Sequence, residues 1–332
     1  MKPNIFDFAT TELSQDAFIA WLLQWASPEC REYDAALCEC AVAFTKQLLS
    51  LGVDAPETIS TISVERQWLN IDVCAEVNGK YLIIIEDKIF TGQHSDQLER
   101  YQKSANEWCL QNGYQLVCIY LKTGSEASST LKKVMDQGFA VLRRKDFLKL
   151  LMEAKVTNDI FMDFRGRLSA MENDENQYLN KKIGEWGPSD WKGFYQGLEP
   201  LRPLVSWGFV NNPAGGFWNA VLNWFDFDDY CPYMQIEEGP LCFKIGEVYE
   251  NKAEVRNRFH EILMKGAQGN SDLERPGRFG NGTYMTVGVV SREKWLGGDA
   301  ELVNMEQVVK RLNSYEDMLL NVIEEAARTT DV

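Results

Sequence analysis

Hydrophobic positions along this 332-residue chain alternate between helical and strand spacing. Phe18, Trp21, Leu22 and Trp25 fall three or four apart after the capping residues Thr10, Thr11 and Ser14, which predicts an opening amphipathic helix. Leu37, Val42, Phe44, Leu48 and Leu49 predict a second helix over 33–51, ended by Gly52. A strand is expected within 59–69. Residues 70–77 then alternate apolar and polar, Asn78-Gly79 marks a turn, and 81–85 is apolar enough for a buried strand, so the two form a hairpin. A loop at 91–95, a helix at 96–110, strands at 114–121 and 139–142 and a helix at 145–153 follow. This order fits a mixed sheet flanked by helices.

Residues 156–187 read as helical and then polar, with 171–176 as a charged connection. Gly184, Gly187 and Pro188 interrupt the pattern, so the chain divides into a domain over 1–180 and a second over 181–332. The second half suggests a helix at 189–203 and strands at 216–226, 231–237 and 240–247, with Glu238-Gly239 as a hairpin turn. A helix at 251–266, a strand at 283–290 and a final amphipathic helix at 304–328 complete a smaller α+β domain with an antiparallel sheet.

The candidate chemistry sits at the ends of the hairpin strands. Asp72 lies on one, Glu86 and Lys88 on the other; side chains two apart share a face, so Glu86 and Lys88 point together while Asp87 turns away. Clustered carboxylates suit a hard cation such as Mg²⁺, and a neighbouring lysine can orient water or offset charge on a phosphate. Register tests the idea. A two-residue turn at Asn78-Gly79 pairs positions summing to 157 and sends Asp72 to the face opposite Glu86. A three-residue loop, Asn78 to Lys80, pairs positions summing to 158 and sets Asp72 across from Glu86. The longer loop, or a one-residue bulge, is therefore expected, against the usual Asn-Gly preference.

Asp72 followed by Glu86-Asp87-Lys88 at the end of a hydrophobic strand resembles the PD-(D/E)XK nuclease superfamily, and Gln97-x-x-x-Tyr101 resembles the additional motif of its RecB-like and lambda-exonuclease-like branches. Residues 8–23 are similar to the opening helix of a bacterial group of predicted nucleases of this superfamily. Glu86-x-Lys88 alone is a weak signal; the ordered set from Glu12 to Tyr101 is much more specific. The resemblance implies an α/β, restriction-endonuclease-like catalytic domain. It implies that Asp72, Glu86, Glu12 and the backbone carbonyl of Asp87 hold Mg²⁺, with Mn²⁺ as a substitute. Lys88 orients or helps deprotonate water, and Gln97 and Tyr101 contact the DNA backbone or support the lysine. Asp16, four residues after Glu12, is a weaker candidate, because first-turn acids also simply complement the helix dipole. Glu65 is expected to face water.

Composition changes the picture in one respect. The net charge is −15, an objection to a nucleic-acid enzyme, yet residues 97–168 hold 12 Lys and Arg against 8 Asp and Glu, leaving −19 for the remainder. Lys132-Lys133 and Arg143-Arg144-Lys145 in this window read equally as a solvated face or a phosphate track. A homodimer mate or a basic partner protein is another source of affinity for DNA, and RNA stays open as a substrate. The competing class is a nuclease-like fold used as a binding or assembly module without turnover; the acidic surface favours it, and the intact Asp72, Glu86 and Lys88 set argues against it. Eight scattered cysteines, with no Cys-x-x-Cys pair and no match to the four-cysteine iron–sulfur spacing of some RecB-like relatives, read as reduced packing residues. Two histidines, His94 and His260, make histidine-based zinc or a triad improbable. Without an amino-terminal basic and apolar signal or a long apolar run, a cytoplasmic protein with no membrane contact is expected. In the second half, Trp207, Trp218, Trp224, Phe225 and Phe227 read as core more readily than as base-stacking platforms. Arg275-Pro-Gly-Arg-Phe-Gly-Asn-Gly reads as a basic glycine-rich loop able to touch phosphate, without the order of a nucleotide-binding P-loop.

Overall fold

A computed structural model describes residues 2–90, 92, 96–212, 215–267 and 272–330. Of the 91–95 loop only Gly92 is included, so His94 lies outside the described residues. The chain forms two compact units, residues 1–126 with 130–173, and residues 127–129 with 174–332.

The first unit is built on a five-stranded sheet in the order β1-β2-β3-β4-β5. Its strands are β1 (Ile62–Trp68), β2 (Ile71–Val77), β3 (Tyr81–Lys88), β4 (Gln115–Lys122) and β5 (Ala140–Arg143). The first three run antiparallel and the last three parallel, which makes the sheet mixed. One face packs on α1 (Glu12–Gln24), α2 (Ala35–Ser50), α5 (Arg144–Glu153) and α6 (Asp159–Asn176), through Val73, Ile83, Ile85 and Ile119 against Phe18, Leu22, Phe44 and Phe164. The other face packs Cys74, Leu82, Ile84 and Tyr120 against α3 (Gln97–Asn112) and α4 (Ser128–Asp136). Every residue of β3 is buried, as expected for a central strand covered on both faces.

The hairpin takes the longer loop. Val77 pairs with Tyr81 and Val73 with Ile85, so three residues turn the chain and partners sum to 158. The reason lies in Asn78. Its N–H donates to the Thr61 carbonyl at 2.9 Å, its Oδ1 accepts from Ser60 N at 2.7 Å, and its Nδ2 donates to the Thr58 carbonyl at 2.9 Å. Bound to the lead-in of β1, Asn78 is unavailable for a two-residue turn. The left-handed conformation suits asparagine and glycine, and Asn78 (φ 54°) and Gly79 (φ 59°) both adopt it.

Two expectations are corrected here. Residues 171–176 are not a connection but the last turns of α6, and α4, which the sequence reading passed over, fills the β4–β5 crossover. The Arg143-Arg144-Lys145 run does not form a continuous phosphate track. Arg144 is buried, with its Nε on Glu172 at 2.9 Å and its Nη1 on the Thr123 carbonyl at 2.6 Å, so its charge is spent internally.

The second unit carries a six-stranded antiparallel sheet, β10-β11-β9-β8-β7-β6. These strands are β6 (Ser206–Val210), β7 (Phe217–Val221), β8 (Cys231–Glu237), β9 (Leu241–Gly246), β10 (Leu273–Glu274) and β11 (Met285–Val290). Met234, Phe243, Ile245 and Val287 bury one face against α7 (Pro188–Leu198), α8 (Lys252–Gly266) and α10 (Met305–Thr330), with Trp295 of the short α9 (Arg292–Trp295) fully enclosed. Trp207 and Phe227 belong to this core, as the packing reading expects, whereas Trp224 is about a third exposed at 36%. All eight cysteines are unpaired, seven of them buried. Among the described residues no helix is long and apolar enough to cross a membrane.

Candidate active site

The chemistry converges at the carboxyl end of β3. Continuing the β2–β3 register by one position sets Asp72 opposite Glu86, and the backbone N–H of Asp87 donates to Asp72 Oδ2 at 3.0 Å. On the same face as Glu86, Lys88 reaches back to Glu86 Oε1 in a short ion pair. Gln97, at the start of α3, donates to that same Glu86 oxygen at 2.9 Å and to the Tyr101 hydroxyl at 2.9 Å. From α1, Glu12 Oε1 accepts the backbone N–H of Ile89, the residue following β3, at 2.9 Å. Glu12, Asp72, Glu86, Lys88, Gln97 and Tyr101 thus meet at one strand end, drawn from four elements, α1, β2, β3 and α3.

Burial sets the electrostatics of this cluster. Glu86 is 1% exposed, and its second oxygen, Oε2, is buried without a hydrogen-bond partner. Desolvation first, and then the charge of Asp72, push the Glu86 carboxyl up to about 7, against the pull of Lys88. Burial alone lowers the pKa of Lys88, but the hydrogen bond and charge of Glu86, with Asp72 and Glu12 beyond it, more than offset this and raise it. Lys88 is therefore a fixed cation at neutral pH.

Asp87 points to the other face, as strand alternation requires, and is fully buried. Gln15 Nε2 donates to its Oδ1 at 2.5 Å, and Thr123 Oγ1 donates to Gln15 Oε1 at 3.0 Å. Asp16 is buried beside it, 3.7 Å from Arg66. Asp16 Oδ1 and Asp87 Oδ2 have no donor while both carboxyls are ionised; with one protonated, the two close a hydrogen bond. Desolvation first, and then Asp72, hold Asp16 at about 7, and desolvation and the Asp16 charge raise Asp87 well above the carboxylate range. The side chain of Asp87 accordingly braces the back of the site, and only its backbone carbonyl remains for the role the motif suggests. Glu65 is exposed on the edge strand and takes no part.

Lys122 escaped the sequence reading. It ends β4 directly beside Lys88, is 3% exposed, and lies 3.4 Å from Glu126, which also accepts from the Tyr120 hydroxyl at 3.2 Å. Burial lowers its pKa against the opposing pull of Glu126. The two strand ends approach so closely that a Cβ on Gly124 would stand 1.7 Å from the Ile89 carbonyl oxygen. Only glycine fits there. The signal for Lys122 is the parallel register, which no local pattern encodes. Gln15 was hidden for the same reason, since its partner Asp87 is distant in sequence.

A family model of the PD-(D/E)XK nuclease superfamily matches residues 3–180, more than half the chain and the whole of this site. The chain belongs to the PD-(D/E)XK nuclease superfamily. No curated protein and no solved structure gives a significant match. Membership supports nuclease-type phosphodiester chemistry, and PD-(D/E)XK nucleases generally use divalent metals. The donor set fits that requirement in part. Among the described residues no three His, Cys, Asp or Glu side chains converge at ligand spacing. Two opposed acids with an unpartnered buried oxygen nevertheless suit Mg²⁺, which is commonly held by one or two carboxylates, with waters and substrate phosphates completing its shell.

Proposed function

We propose that the protein is a divalent-metal-dependent nuclease that hydrolyses phosphodiester bonds in DNA. The observation that carries the reading is the Glu86 carboxylate: buried, opposite Asp72, held on one oxygen by Lys88 and Gln97 and unpartnered on the other. Leaving a buried carboxylate oxygen without a donor costs free energy, and a bound cation removes that cost.

Asp72, Glu86, the Asp87 carbonyl and Glu12 would hold the ion. When bound, Mg²⁺ polarises the scissile phosphate and lowers the pKa of a coordinated water. Lys88, kept protonated by its acidic neighbours, orients the attacking water and balances charge accumulating on the phosphate, and its raised pKa makes it a poor general base at neutral pH. Gln97 and Tyr101 fix the Glu86 rotamer, while Gln15, Asp16 and Asp87 stiffen the strand from behind. The test is degradation of plasmid and linear DNA with Mg²⁺ or Mn²⁺. Cleavage lost in Asp72→Ala and Lys88→Ala, with circular dichroism unchanged, is the expected result. Absence of metal binding and of cleavage across linear, circular, single-stranded and RNA substrates would establish a silent binding module instead.

A further inference from the structure

The second unit holds a positive cluster that the proposed chemistry does not use. Phe279, in the loop between β10 and β11, lies between two guanidinium groups: Arg256 of α8 and Arg275 each stand 4.8 Å from its ring centroid. His260 meets the ring edge-on at 5.0 Å. Arg256 Nη1 also donates to the Gly280 carbonyl at 2.6 Å, which ties the loop to the helix. Arg275 and Arg278 are exposed.

Among the described residues no carboxylate lies within ion-pair distance of Arg256, Arg275 or Arg278. In a chain of net charge −15, Arg202, Arg258, Arg292 and Arg328 of the same unit are paired with acids, and Arg311 bonds the Trp295 carbonyl and the Gln307 side chain. Two like charges stacked on one ring repel each other. Arg256 is held by its bonds to the Asn257 side chain and the Gly280 carbonyl and contributes charge, whereas the exposed Arg275 and Arg278 are the groups available to phosphate oxygens. Further along the loop Tyr284 is 54% exposed and lies 6.3 Å from Trp224, which packs at a tilt against Tyr233 at 4.6 Å. Exposed rings of this kind stack on unpaired bases.

We infer that the arginines around Phe279, with Tyr284 and Trp224, form a binding site for the sugar-phosphate backbone and bases of a single-stranded nucleic acid. The choice of nucleic acid over an acidic polypeptide rests on the nuclease reading and on the exposed rings; the positive cluster itself does not depend on that reading.

The experiment is fluorescence anisotropy of a labelled single-stranded oligonucleotide with the full chain in EDTA, so that cleavage plays no part. Arg275→Ala with Arg278→Ala is expected to weaken binding about tenfold. Two lost phosphate contacts should also flatten the slope of log affinity against log salt by about 1.4. Tyr284→Ala is expected to weaken binding about fivefold or more with an unchanged slope. The positions are exposed, and unchanged thermal unfolding confirms an intact fold. Affinity and slope equal to the parent's overturn the inference, as does displacement of the oligonucleotide by polyglutamate at equal charge concentration. Because no metal is present, binding is read apart from cleavage. A failed nuclease reading therefore appears as binding without cleavage, and a failed inference as cleavage without dependence on these arginines.

Discussion

Each sheet carries a cross-strand or same-face Glu–Lys pair, and the two pairs differ in what surrounds them. In the second unit, Lys244 on β9 pairs with Glu237 on β8, both partly exposed, and Gln235 donates to the same Glu237 oxygen at 2.9 Å. Nothing acidic is forced against it, and no Glu237 oxygen is buried without a partner. In the first unit, Glu86 and Lys88 are buried beneath α3, a second acid stands opposite, and one carboxylate oxygen is unpartnered. The first arrangement satisfies itself in water; the second carries a desolvation cost that folding alone does not repay. An ion pair indicates function when its surroundings leave it incomplete.

The sharpest way to break this contrast is to remove the amine from each pair. Lys88→Met is expected to reduce cleavage about 100- to 1,000-fold, the scale of losing one preorganised charge at a developing anion. Lys244→Met should leave kcat within about twofold and change stability by less than about 1 kcal/mol, as for a partly solvated pair. Equal losses in both would mean that the Glu86 site has no special chemistry.

A second test uses pH. Glu86 and Asp16 are carboxyls whose folded pKa values lie near 7, above the usual carboxylate values they keep in the unfolded chain. Between about pH 4 and 7 the folded state retains protons that the unfolded state has released, so stability falls as pH rises through that window and levels off above it. The sum over the two groups is on the order of a few kcal/mol. Thermal unfolding in chelator should follow this trend, and Glu86→Gln and Asp16→Asn should each flatten it and raise stability at pH 8. Mg²⁺ added at pH 8 should stabilise the parent but not Glu86→Gln. A flat profile in the parent would mean that these acids are better solvated than their burial indicates.

What the sequence made legible follows the range of the interactions. The helical and strand periods located α1, α2, β2, β3, β8, β9 and α10, because their signals are local. The face shared by Asp72 and Glu86 followed from register arithmetic once the chemistry was imposed on the hairpin. The cause of that register, Asn78 bonding to residues 58–61, was not legible, since it depends on a segment about twenty residues away. Lys122, Gln15 and Arg144 were missed or misread alike: each takes its role from a partner on another strand or helix. Short elements such as β6 and β10 carry too few residues to show a period.

The finest test concerns how Glu86 is held. Gln97 spends one amide on both Glu86 Oε1 and the Tyr101 hydroxyl, so removing it frees the carboxylate to rotate away from Asp72 while leaving every proposed metal-binding oxygen in the chain. Partners that orient a ligating carboxylate are commonly worth 10- to 100-fold in metal affinity or activity. Gln97→Ala should therefore lower cleavage by about tenfold at subsaturating Mg²⁺ and recover partly as the metal is raised. Tyr101→Phe, which removes a hydroxyl one hydrogen bond further out, should cost about twofold to tenfold and depend on metal in the same way. If both losses persist at saturating metal while substrate KM rises, the pair contacts the DNA backbone rather than Glu86. That outcome would move the two residues from the metal side of the site to its substrate side.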